Sequence, residues 1–114
     1  MQTDAAVQTP NSPVEPSRAE IDDLDGPIVL EFGASWCGHC QAARPLIAEA
    51  LARHPEVRHL RIEDGPGRPL GRSFRVRLWP TLIFLRQGRE VARSVRPAAA
   101  GAIDEALAQL EAAA

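Results

Sequence analysis

An apolar run, Ile28-Val29-Leu30-Glu31-Phe32, leads through Gly33-Ala34-Ser35-Trp36 into two cysteines spaced Cys37-Gly38-His39-Cys40. These are the only cysteines among the 114 residues. A short apolar run bounded by turn residues reads as a buried strand, and the residues after Cys37 carry helical spacing. The two thiols therefore stand where a strand passes into a helix. That junction commits the chain to an α/β architecture, because such a strand needs cover on both faces.

The position is also a chemical one. The first N–H groups of a helix have no intrahelical partner, and the helix dipole is positive there. Both favour the thiolate of Cys37, the form that attacks sulfur. Cys40 lies one turn later on the same face, and this spacing permits the ~5.5 Å Cα separation that a disulfide needs. Cys37 then reads as the attacking thiol and Cys40 as the resolving one. A metal site accounts for the pattern less well. Zinc takes about four ligands, whereas Cys37, His39 and Cys40 supply three, and His54 and His59 fall on other elements.

The remaining elements follow from punctuation and period. Residues 1–16 are polar and proline-rich and read as a flexible tail, leaving 17–114 as one domain. Ser17-Arg18-Ala19-Glu20 has the form of a capping box and starts a short helix. A strand is expected over 28–33, and a helix over 37–54 that carries Pro45 and is kinked by it. A second strand is expected over 57–63, a short helix around Leu70 and Phe74, and a third strand over 81–85. Gln87-Gly88 turns that strand into a fourth over 89–95. A last helix covers 98–113, with Ile103, Ala106, Leu107 and Leu110 along one stripe. The strand-helix-strand unit should be parallel with a right-handed crossover, and the hairpin should complete a mixed sheet.

Composition narrows the function. No apolar run approaches the ~20 residues of a membrane span. The N-terminus lacks the basic start and apolar stretch of a secretory signal. This points to the cytoplasm, or to the periplasm if a signal has been removed. All thirteen basic side chains are arginine, and ten of them lie between Arg58 and Arg96 against Glu63, Asp64 and Glu90. A solvated surface explains this better than a partner-binding face. Aromatic residues are too scattered for nucleic-acid stacking.

Two further residues carry chemistry. A carboxylate inside a buried strand is costly without work or a partner. Glu31 is thus a candidate to move a proton to or from Cys40. His39, between the thiols, is a candidate to stabilise the Cys37 thiolate through its imidazole.

Together these pieces resemble the thioredoxin superfamily over residues 28–110. The likeness rests on Glu31 in its strand, the Trp36-Cys37-Gly38-His39-Cys40 turn, Pro45, the Pro80-Thr81 pair and Gly88. The Cys-Gly-His-Cys motif itself looks like the catalytic domains of protein disulfide isomerase. The resemblance implies a thioredoxin fold, a mixed sheet of about four strands flanked by helices; the prolines before Ser17 leave the usual first strand short or missing. It implies a cis Pro80 facing Cys37, and a Trp79 backbone offering strand-like hydrogen bonds to a bound peptide. Trp36, Trp79, Pro80 and Arg96 would then line the substrate groove. Cys37, Cys40, Glu31 and His39 would do the chemistry, with no bound cofactor and no metal.

The implied activity is that of a monomeric thiol–disulfide oxidoreductase. Its partners would be protein or peptide disulfides and an upstream reductase or thiol donor. The rival reading is a thioredoxin-like adaptor or chaperone module whose thiols are incidental. Four positions depart from the superfamily pattern. Gly33 stands where an aromatic residue is frequent, Trp79 where a small aliphatic one is, His59 where many members have lysine, and Arg96 where a groove glycine is usual. A void beside Gly33, filled by Trp79, is the expected consequence of the first two.

Overall fold

The computed structural model describes residues 15–113. The element order is α1 (Arg18–Asp22), β1 (Pro27–Gly33), α2 (Gly38–Ala52), β2 (Arg58–Glu63), α3 (Pro69–Ser73), β3 (Thr81–Arg86), β4 (Arg89–Val95) and α4 (Ala100–Ala112). The strands form one sheet in the order β2-β1-β3-β4. β1 runs parallel to β2 and antiparallel to β3, and β3 runs antiparallel to β4. This is the mixed four-stranded sheet the sequence implies, and among the described residues no strand precedes α1.

The alternation of a β-strand explains the two-layered core. Ile28, Leu30 and Phe32 of β1 point with Ile83 and Leu85 of β3 to one face, where Ile21 of α1 and Leu70 of α3 cover them. Val29 of β1 points with Leu82 and Phe84 to the other face, under Ile47 and Ala50 of α2 and Ile103, Leu107 and Leu110 of α4. With both faces covered, residues 28–32 are all buried. Glu31, two residues beyond Val29, therefore lies on the α2 side of the sheet.

Local chemistry fixes the ends of the elements. The capping box at α1 is complete: Ser17 Oγ accepts from the Glu20 N–H, and Glu20 Oε1 accepts from the Ser17 N–H. The β3–β4 turn places Gln87 at φ 51° and Gly88 at φ 77°, the left-handed pair a tight hairpin needs. A Cβ at Gly88 would also run into the Asp22 carbonyl. α2 continues through Pro45 without interruption.

The expected tail overlaps the described residues only at its end. Residues 1–14 lie outside them, but Pro16 is buried. Glu15 Oε2 accepts from the Leu70 N–H at 2.6 Å, and Arg68 Nε stands 3.3 Å from Glu15 Oε1. These two residues belong to the domain, because the start of α3 offers Glu15 a free amide that nothing in the local sequence announces.

Candidate functional site

β1 ends at Gly33, and a tight turn closed by the Cys37 N–H on the Ala34 carbonyl (3.1 Å) delivers Cys37 to the N-cap of α2. The sulfur takes the place a capping hydroxyl usually has: Cys37 Sγ accepts from the Cys40 N–H at 3.3 Å. Both cysteines are free thiols. They pack with Ala34 in a small cluster against which Trp79 lies.

The two sulfurs differ in acidity. Burial pushes the Cys37 thiol up, but hydrogen bonds from the Cys40 thiol and from the backbone N–H groups of Cys40 and His39 outweigh it. With the positive charge of Arg96 they hold Cys37 below the usual thiol range. Burial pushes the Cys40 thiol up to about 11, reinforced by its hydrogen bond to Cys37 and the charges of Cys37 and Glu31. The His39 side chain is exposed. Its backbone N–H is among the groups that lower the Cys37 thiol. The cation acting on Cys37 is Arg96, which the sequence had placed only in the groove.

Glu31 is 5 % exposed and has its partners on β2. The register sets Val29 against His59 and Glu31 against Arg61. His59 and Arg61 thus share the face of Glu31. His59 Nε2 lies 2.7 Å from Glu31 Oε1, and Arg61 Nε lies 3.9 Å from the same oxygen. A cavity of about 160 Å³ beside this carboxylate is lined by Cys40, Ser35, Arg44 and Arg61 as well as Glu31. The buried acid and the inner thiol thus border one polar space.

Gly33 corrects the expectation of a void. A Cβ built there would lie 2.7 Å from Cys40 Sγ, so the space is already filled by the inner sulfur. Trp79 does cover the pair, and it is held from a direction the sequence did not show. Its indole N–H donates to Asp64 Oδ2 at 2.9 Å, and its ring meets Trp36 edge-on with centroids 5.6 Å apart. Trp36 itself is 72 % exposed.

The Trp79–Pro80 peptide bond is cis, and Pro80 is buried. The Trp79 carbonyl, expected to be open to a bound peptide, accepts instead from Arg96 Nε at 2.8 Å. The Arg96 N–H donates to the Pro80 carbonyl at 2.9 Å.

Among the described residues, the one trio of potential metal ligands is His54, Glu56 and Glu111, which does not include the cysteines. Their exposed carboxylates pair with His54, the Glu111 carboxylate at 2.7 Å.

The sheet order, the thiol pair at a helix start and the buried acid beneath it define a thioredoxin-fold protein with a Cys-x-x-Cys site. The thioredoxin family model matches residues 14–109, so the chain belongs to that family. It is 57 % identical to thioredoxin 2 from Pseudomonas aeruginosa PAO1 in its reduced form. That superposition has a TM-score of 0.82 and covers 94 % of this chain and 99 % of that one. Thioredoxin NaTrxh from Nicotiana alata is 28 % identical with a TM-score of 0.68, over 81 % of this chain and 79 % of that one. Thioredoxin H2-1 from Oryza sativa subsp. japonica is 35 % identical over 68 residues, 60 % of this chain and 49 % of that protein. Protein disulfide-isomerase A2 from Pongo abelii is 40 % identical over 103 residues, 71 % of this chain and 20 % of that protein. The matched region spans about half the length of the rice thioredoxin and a fifth of the isomerase. Among the described residues no helix is long and apolar enough to cross a membrane.

Proposed function

We propose that this protein is a monomeric thiol–disulfide oxidoreductase that reduces or exchanges protein disulfides through Cys37 and Cys40. The observation that carries the reading is the asymmetry of the pair. One sulfur is held below the usual thiol range and the other is pushed up to about 11. In a symmetric pair neither thiol would be set apart to attack while the other waits protonated.

The Cys37 thiolate attacks one sulfur of the substrate disulfide. A Cys37–substrate bond forms, the substrate S–S bond breaks, and the departing thiolate takes a proton. Cys40 then gives its proton to Glu31 across their shared cavity and attacks Cys37 Sγ. The Cys37–Cys40 bond forms, the Cys37–substrate bond breaks, and the second substrate sulfur leaves as a thiolate that takes a proton. Two electrons have passed from the dithiol to the substrate, and an upstream reductase or thiol donor restores it. His59 and Arg61 hold the Glu31 carboxylate from β2 beside the cavity it shares with Cys40. A reducing compartment such as the cytoplasm suits this direction of electron flow.

Insulin-disulfide reduction with a dithiol donor tests the reading. The wild type should catalyse it, and Cys37→Ser should abolish it. An adaptor or chaperone module would bind its client equally well with either cysteine replaced and would not reduce insulin.

A further inference from the structure

Arg96 stands just beyond β4 with a left-handed backbone, φ 49°, a conformation in which non-glycine residues are uncommon. The backbone is held there by its N–H on the Pro80 carbonyl at 2.9 Å. The side chain is held by Nε on the Trp79 carbonyl at 2.8 Å. Among the described residues, Nε makes the one polar contact of this guanidinium. Nη1 and Nη2 carry four further N–H donors that find no acceptor among the described residues. The residue is exposed, and its charge reaches Cys37.

The pinned fork borders a depression of about 340 Å³ lined by His39, Ala42, Ala43, Leu46, Pro97 and Ala98. The floor is apolar, the polar side chains on the rim are Arg96 and His39, and no carboxylate lines it. A planar guanidinium whose Nε is already engaged still offers its two terminal nitrogens to a carboxylate in parallel. Because the side chain is already fixed, less rotamer entropy is lost on binding.

We propose that Arg96 is the specificity-determining residue of this site and that it selects disulfides whose cysteine is flanked by an acidic residue, the carboxylate docking on the guanidinium at the depression it shares with His39. This rests on the oxidoreductase reading. The same contact that pins the guanidinium occupies one of the two lone pairs of the Trp79 carbonyl and so sets a fixed charge beside the backbone a substrate would meet.

The test uses two disulfide-linked peptides alike except for Glu or Lys at the positions flanking the cysteine. Initial rates of reduction by the wild type, Arg96→Gln and Arg96→Glu are compared with one dithiol donor. The wild type should favour the Glu peptide about five- to tenfold in kcat/KM, the range of a partly exposed charge-assisted pair. The preference should shrink below about twofold in ~1 M salt, where the screening length falls to ~3 Å. Arg96→Gln should erase the ratio and Arg96→Glu should reverse it. Arg96 also favours the Cys37 thiolate, but that effect slows both peptides alike and leaves the ratio untouched. A ratio near one in the wild type, or one that survives Arg96→Gln, overturns the proposal. Failure to reduce either peptide refutes the oxidoreductase reading instead.

Discussion

Replacing Gly33 by alanine sets two opposing effects against each other, and the structure decides between them. Gly33 ends β1 with no positive φ, so alanine fits its backbone. On that ground alone the substitution should stabilise by about 0.4–1 kcal/mol through the unfolded chain. The new Cβ, however, would sit 2.7 Å from Cys40 Sγ and 3.7 Å from Cys40 Cβ. Cys40 is 2 % exposed, and its sulfur is hydrogen-bonded to Cys37. It cannot swing aside without losing that bond. Overpacking of this kind costs about 1–3 kcal/mol. Steric crowding wins, and Gly33→Ala should destabilise the reduced protein by about 1–2 kcal/mol. At 4–8 °C per kcal/mol for a domain of this size, that is a fall in Tm of about 4–16 °C. Gly101→Ala is the control, because a Cβ there meets nothing within 4 Å. It lies inside α4, where alanine is favoured by about 0.8–1 kcal/mol, so its Tm should rise. Thermal unfolding of both variants under reducing conditions reads the contrast. If Gly33→Ala proves as stable as the wild type or more so, the close seat of Cys40 against β1 is refuted.

Three further expectations follow from the same geometry. His39→Pro removes a backbone N–H from the Cys37 sulfur as well as the imidazole, so it should raise the Cys37 pKa and make the couple more reducing by roughly 30 mV. His39→Ala, which keeps the N–H, should do less than half of that in glutathione equilibration; equal shifts would return the role to the imidazole. Trp79→Phe keeps an aromatic ring but removes the donor to Asp64 and part of the packing on the thiol pair, and urea unfolding should show a loss of at least about 1 kcal/mol, whereas no change would mean that neither contact stabilises the fold. The reduced protein should lose stability as pH rises from the ordinary thiol range towards 11. There an unfolded Cys40 is already ionised while the folded one, raised to about 11, is still protonated. Cys37, whose folded pKa is lowered, adds a constant stability in that window. Cys40→Ser should therefore flatten the slope, and an unchanged slope would place the titrating group elsewhere.

What the sequence made legible was local. Each helix and strand was announced by caps, turns and apolar period. The thiol pair was recognisable because both sulfurs belong to one helix start. The links that tune the site join residues far apart in the chain and follow from strand register. Glu31 meets His59 because Val29 pairs with His59 across the parallel β1–β2 ladder. Arg96 reaches the Trp79 carbonyl because β4 returns along β3 and ends opposite Thr81. The void expected beside Gly33 failed for a related reason. A missing side chain was compared with the residue type usual at that position, while the atom that fills the space comes from the next helix. His39 shows the remaining gap, since sequence displays its imidazole but not its backbone N–H, which also lowers the Cys37 thiol.

The central claim is that Cys37 attacks and Cys40 resolves. Incubating Cys40→Ser with a disulfide-linked peptide and mapping the adduct by mass spectrometry tests it directly. Without the resolving thiol the first exchange should stop at a stable, stoichiometric mixed disulfide on Cys37, while Cys37→Ser should accumulate none at neutral pH. Equal trapping on Cys40 in Cys37→Ser, or no adduct in either variant, would contradict the account.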